Sequence, residues 1–133
     1  MISHGCVVDG SVERSILSPG VRVAAGASVC DSIVMFDTVI GAGAVLDRVI
    51  VDKEAWIGDG SRIGVGEDVT PNREESERLH AGITLVGKRA RIPRGIQIGR
   101  NCRIDPGVIE RDFGGRPFVE SGRTVFAASS SPA

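Results

Sequence analysis

The chain has no tyrosine, a single tryptophan and four phenylalanines among 133 residues, so no core built on stacked rings is available to it. Only two histidines occur, His4 and His80, too few for a three-histidine metal site. The three cysteines, Cys6, Cys30 and Cys102, show no CxxC spacing, which argues against a zinc site or a disulfide framework and for reduced thiols in a cytoplasmic protein. A formal net charge of -1 exerts no overall pull toward nucleic acid or membrane. No apolar run approaches the ~18 residues needed to span a bilayer, and the N-terminus MISHGCVVDGSVER lacks the basic start and apolar block of a signal peptide. These shortages leave Val, Ile, Leu, Ala and Gly to build the fold.

What is abundant is repetition. SILSPGVRVAAGASVCD (15 to 31), SIVMFDTVIGAGAVLDR (32 to 48) and VIVDKEAWIGDGSRIGV (49 to 65) align without a gap. Ile16, Ile33 and Ile50 share a column, as do Leu17, Val34 and Val51; Val23, Ile40 and Ile57; and Val29, Leu46 and Ile63. Gly26, Gly43 and Gly60 form a further column and mark a recurrent corner. A unit this short cannot bury its own apolar face, so it must be one turn of a solenoid. The inward columns step by six, six and five residues, which predicts three short strands per turn rather than a helix. Val21, Thr38 and Ala55, two positions before the third column, are expected to face inward too.

Residues 1 to 14 read as an incomplete first turn, with Cys6 at the position of Val23 and Val12 at that of Val29. The beat breaks at EDVTPNREESERLHAG (67 to 82), expected as an extruded loop with one helical turn near Glu74 to Leu79. It resumes at Val86, Ile92, Ile98 and Ile104. Residues 109 to 126 are expected to form a strand pair or hook over the last coil, and AASSSPA a mobile tail.

The six-residue beat of IGAGAV and IGDGSR resembles the hexapeptide repeat of left-handed parallel β-helices. The resemblance implies an all-β, single-stranded left-handed parallel β-helix over 1 to 108, followed by a capping segment and tail over 109 to 133. GCVVDGSVERSILSPGVRV, VIVDKEAWIGDG and GITLVGKRARIPRG, in that order, resemble the C-terminal domain of glucose-1-phosphate adenylyltransferase. That family makes ADP-glucose from ATP and glucose 1-phosphate, for glycogen and starch synthesis, in a separate nucleotidyltransferase domain. Neither its Gly-rich nucleotide loop nor a candidate for its catalytic aspartates is found here, so the resemblance implies a non-catalytic oligomerisation and effector-response domain without a cofactor. Gly58, Gly60 and Gly64 do not match GxGxxG, and the repeat already accounts for them.

Site residues follow from the same motifs. In plant members of the family, lysines in stretches like IVDKEAWIGDG and GITLVGKRARIP bind a phosphorylated sugar-acid activator, which implies Lys53 and Lys88 as effector ligands. An ammonium on a flexible stem suits a phosphate. Lys88, Arg89, Arg91, Arg94, Arg100 and Arg103 form an outward basic series with no acid before Asp105. It reads either as an anion-attracting face centred on Arg89, Arg91 and Arg94 or as a solvated face balanced by the acidic loop. The absence of interleaved aromatics speaks against nucleic acid. Trp56 is expected outward beside Val39, either lying on the wall or forming a contact surface in a homo-oligomer. An alternative assignment is a free-standing hexapeptide-repeat acyltransferase, for which His80 would be the candidate base.

Overall fold

The structure is a computed structural model that describes residues 1–128. Its strands are two or three residues long and lie in three parallel sheets of five, six and six strands, the walls of a solenoid. Wall one stacks Val7–Val8, Arg22–Val23, Val39–Ile40, Trp56–Ile57 and Arg91–Ile92. Wall two stacks Ser11–Glu13, Ser28–Cys30, Val45–Asp47, Arg62–Ile63, Gln97–Ile98 and Phe118–Val119. Wall three stacks Ile16–Leu17, Ile33–Val34, Val49–Val51, Thr84–Val86, Arg103–Ile104 and Thr124–Val125.

From residue 15 onward the inward columns are the ones the repeat predicts, whereas in the first turn Val8, not Cys6, pairs with Val23. Leu17, Val34, Val51, Val86, Ile104 and Val125 follow one another in register up wall three, and all are buried. Val23, Ile40, Ile57 and Ile92 line wall one, and Val29, Leu46, Ile63, Ile98 and Val119 line wall two. Each such side chain contributes about 1.5–3 kcal/mol through burial. The column Val21, Thr38, Ala55 is fully buried, and its hydroxyl is satisfied: Thr38 donates to the Asp52 carbonyl at 3.0 Å. Where wall two turns into wall three, the Ser15 hydroxyl accepts from Ser32 N–H and the Ser32 hydroxyl from Val49 N–H, each at 3.1 Å. Polar groups at that corner thus stack from coil to coil without an orphan.

Residues 67–82 contribute no strand, and Thr84–Val86 pairs directly with Val49–Val51 as though they were absent. They hold one turn, closed where Leu79 N–H donates to the Glu75 carbonyl at 2.8 Å, and Leu79 is buried.

The two ends of the prism differ. At the C-terminal end a 3-10 turn, Glu110–Phe113, carries a buried Phe113, and the Phe118–Val119 and Thr124–Val125 strands extend walls two and three. Ala127 is buried as well, while residues 129–133 of the expected tail lie outside the described residues. At the N-terminal end Cys6, Val8 and Val12 point into the core but stay only partly buried.

Candidate functional site

The corner joining wall three to wall one recurs in each coil as a tight turn. Its third residue is left-handed, at Asp37, Glu54 and Arg89 with φ of 57°, 58° and 60°. The residue before it stacks in a column, because Glu54 N–H donates to the Phe36 carbonyl at 2.9 Å and Arg89 N–H to the Lys53 carbonyl at 3.0 Å. Lys53 and Lys88 therefore occupy the same position on adjacent coils, about 4.8 Å apart at the backbone, the spacing of paired strands. The 67–82 excursion separates them in sequence but not in space.

Both lysines are exposed, and neither forms an ion pair among the described residues. Lys53 Nζ lies 5.9 Å from the centre of the Phe36 ring, a cation–π distance that holds the ammonium on the corner. The Asp52 carboxylate accepts from Lys53 N–H at 2.7 Å, which fixes the start of the turn. Phe36 and Lys88 flank Lys53 on opposite neighbouring coils, so the Lys53 ammonium rests on the side of Phe36.

The neighbouring basic side chains are treated differently. Arg89 Nε is 3.1 Å from Glu54, and Arg91 Nε is 3.1 Å from Glu110. Arg100 reaches Asp47 at 3.2 Å, and Arg103 pairs with both Glu75 and Asp105. Arg94 is exposed and has no ion pair among the described residues. Of the acidic loop, Glu75 alone serves this face; the other partners are Glu54 and Asp47 from neighbouring coils, Glu110 from the C-terminal turn, and Asp105 beside Arg103 on its own coil. The basic series is thus mostly neutralised, with Lys88 and Arg94 left free, and Arg94 sits one corner further on, between walls one and two.

Trp56 faces outward on wall one, 49% exposed, in register with Val39 on one side and Arg91 on the other. The Arg91 guanidinium lies 5.5 Å from the indole centre while its Nε holds Glu110, whose carboxyl is kept below its ordinary pKa by backbone and Arg91 hydrogen bonds. His4 and His80 are both exposed and make no hydrogen bond that would orient an imidazole as a base. Cys30, Asp31 and Asp47 bring three donor atoms within 4.8 Å of one another, but Arg14 occupies the corner. Its Nε is 2.7 Å from Asp31, and its guanidinium also donates to Cys30 Sγ at 3.1 Å, so a fixed cation already stands there.

Sequence reasoning passed over Asn72 and Asn101. Both are fully buried. Asn72 Oδ1 accepts from Glu74 and Glu75 N–H, and its amide donates to the Asn101 carbonyl at 3.0 Å. Asn101 is left-handed (φ 57°), accepts from Gly82 N–H at 2.7 Å and donates to the carbonyls of Val69 and Thr70. The available signal was Asn101 opening a coil where Arg14, Asp31 and Arg48, also left-handed, stand at the equivalent corner of earlier coils. Asn is the residue with a side chain that tolerates that conformation best.

Residues 1–86 match a family model described as GlmU-like, C-terminal hexapeptide. Over 125 residues the chain is 40% identical to the glucose-1-phosphate adenylyltransferase of Acetivibrio thermocellus, covering 94% of this chain and 29% of that protein. It is 56% identical over 95 residues to the enzyme of the same name from Thermomicrobium roseum, covering 71% of this chain and 22% of the relative. The chain therefore spans less than a third of the length of these relatives. Among solved structures, the acetyltransferase domain of PglB from Neisseria gonorrhoeae superposes with a TM-score of 0.59 at 18% identity, over 96% of this chain and 49% of that one. That likeness is one of fold.

Proposed function

We propose, from the premise that the chain belongs to the GlmU-like C-terminal hexapeptide family, that it is the effector-response and oligomerisation module of a glucose-1-phosphate adenylyltransferase. In this reading the transfer of the adenylyl group from ATP to glucose 1-phosphate takes place in a nucleotidyltransferase domain outside these residues. The module senses a phosphorylated sugar or sugar acid and passes the signal on through its contacts. The identity to enzymes of that name supports the assignment. The observation that carries the effector role is that Lys53 and Lys88 stack at the same backbone position of adjacent coils without an ion pair among the described residues, while Arg89 and Arg91 beside them are matched by Glu54 and Glu110. A phosphate bridging both lysines would be held by two charged donors.

Self-association is the second half of the reading. Exposed Trp56 on wall one is an apolar surface suited to a partner. No helix among the described residues is long and apolar enough to cross a membrane, and a cytoplasmic setting fits glycogen metabolism.

The acyltransferase alternative has the fold likeness to PglB but no oriented histidine to support it. A thermal-shift experiment separates the two, because a ligand that binds the native state raises its melting temperature by mass action. Phosphoglycerate should stabilise the chain and acetyl-CoA should not. Stabilisation by acetyl-CoA alone would overturn the assignment.

A further inference from the structure

A second cationic site lies away from the lysine corner, where the turn between walls one and two meets the C-terminal hook. Here Pro93, Arg94 and Ile96 on one side and Phe113, Arg116 and Pro117 on the other enclose a cleft of about 440 Å³. Clefts that hold small molecules run from about 300 to 1,000 Å³ and are mostly apolar with a few placed polar groups. This one fits that description. Ile96 and Phe113 are almost fully buried and form its floor, and two prolines stiffen its rim.

The charged groups are few and their states differ. Arg116 Nε donates to the Phe113 carbonyl at 3.0 Å, which pins the guanidinium while leaving its terminal nitrogens free. Arg94 has neither an ion pair nor a hydrogen bond to its guanidinium among the described residues. Glu110 also borders the cleft, but its Oε1 is held at 3.1 Å by Arg91, which packs against Trp56 on wall one. The cleft is thus lined by two arginines whose terminal guanidinium nitrogens have no partner among the described residues, together with apolar Ile96 and Phe113, and its one carboxylate is already engaged. Planar guanidinium groups hold phosphate oxygens in paired hydrogen bonds, a geometry that Lys cannot supply.

We propose that this cleft is a binding site for a small organic phosphate, its phosphate held by Arg94 and Arg116 and its apolar part lying against Phe113 and Pro117. The site goes beyond the effector reading of the lysine corner and does not depend on it. Its architecture requires the C-terminal hook, because Phe113 and Arg116 come from residues beyond the 1–86 family match.

The test is an amide-resolved NMR titration of the full chain with inorganic phosphate and with phenyl phosphate. The expected result is saturable shifts of the Gly95, Gly114 and Gly115 amides, with a Kd for phenyl phosphate about tenfold or more below that for inorganic phosphate, as burial of several apolar carbons requires. Arg94→Gln and Arg116→Gln should each weaken phenyl phosphate about tenfold or more, as the loss of a charged hydrogen-bond donor implies. Lys53→Gln should leave these shifts unchanged. Since Arg94 is exposed, its replacement does not threaten the fold, and an unaltered amide spectrum confirms this. Absence of saturable shifts at these glycines, equal affinity for the two probes, or shifts that persist unchanged in both arginine variants would overturn the proposal. Loss of response at the lysine corner alone would count against the effector reading and leave this site standing.

Discussion

Asn72 and Asn101 lock the 67–82 excursion to the solenoid: the amide of Asn72 donates to the backbone carbonyl of Asn101, and the amide of Asn101 donates back to the carbonyls of Val69 and Thr70. Both side chains are fully buried, so every one of these groups would be orphaned by the loss of its partner. Asn72→Ala leaves the Glu74 and Glu75 N–H groups and the Asn101 carbonyl without their present partner. Of these the Asn101 carbonyl is buried, and leaving such a group unsatisfied costs about 1–3 kcal/mol. Urea unfolding should show a loss of that size, and hydrogen exchange at Glu74 and Glu75 should accelerate. Unchanged stability and protection would mean that the excursion is not held this way.

Glycines that look alike in the repeat differ in what they do. Gly60 sits at a corner with φ of 68° and open space where a Cβ would stand, so Gly60→Ala should cost about 1–2 kcal/mol, the strain of a left-handed L residue. Gly58 has no positive φ, but a Cβ there would lie 2.6 Å from both Arg94 N and the Ile92 carbonyl oxygen. The clash is with the backbone of the next coil, which cannot move without opening wall one. Thermal unfolding of the two variants should place Gly58→Ala clearly below Gly60→Ala; the reverse order would contradict this packing.

The Asp31 carboxyl is held below its ordinary pKa, first by its hydrogen bond from Arg14 and then by that from the Cys30 thiol. Because the folded pKa is the lower one, the contribution to stability is complete above the unfolded value of about 4. It is lost as pH falls through the folded value. Asp31→Asn should therefore flatten the acid limb of the stability profile below about pH 4. The same hydrogen bond raises the Cys30 thiol pKa, so the variant should also alkylate faster at Cys30 near pH 8. An unchanged alkylation rate would show that Asp31 does not control the thiol. Cys102, raised by burial, should stay unreactive in both proteins.

Trp56→Ala should weaken self-association, since an exposed indole beside Val39 is the largest apolar side chain on wall one. Sedimentation velocity over a concentration series measures this directly. A profile identical to that of the unaltered chain would remove Trp56 from the interface.

The ladders of the core were readable from sequence because inward side chains recur at fixed steps, and Leu17, Val34 and Val51 stack as their column requires. The adjacency of Lys53 and Lys88 was not readable from spacing, since the 67–82 excursion lies between them, and only the motif resemblance paired them. The state of the basic face was hidden for a related reason. Apart from Asp105, which Arg103 meets two residues on, its acidic partners lie far off in the chain, as with Arg89 and Glu54, 35 residues apart, or Arg100 and Asp47, 53 apart. The asparagine lock, spanning 29 residues from Asn72 to Asn101, left no periodic trace at all. Periodicity reports what faces the core, whereas polar pairing depends on which coils become neighbours.

The effector reading is tested most directly by calorimetric titration of phosphoglycerate into the unaltered chain, Lys53→Gln, Lys88→Gln and the double variant. If the two ammonium groups share one phosphate, each single variant should lose about tenfold in affinity, the loss of one charged donor. The double variant should lose about a hundredfold, because both charged donors are then gone. Binding that is unchanged in the double variant would contradict the account.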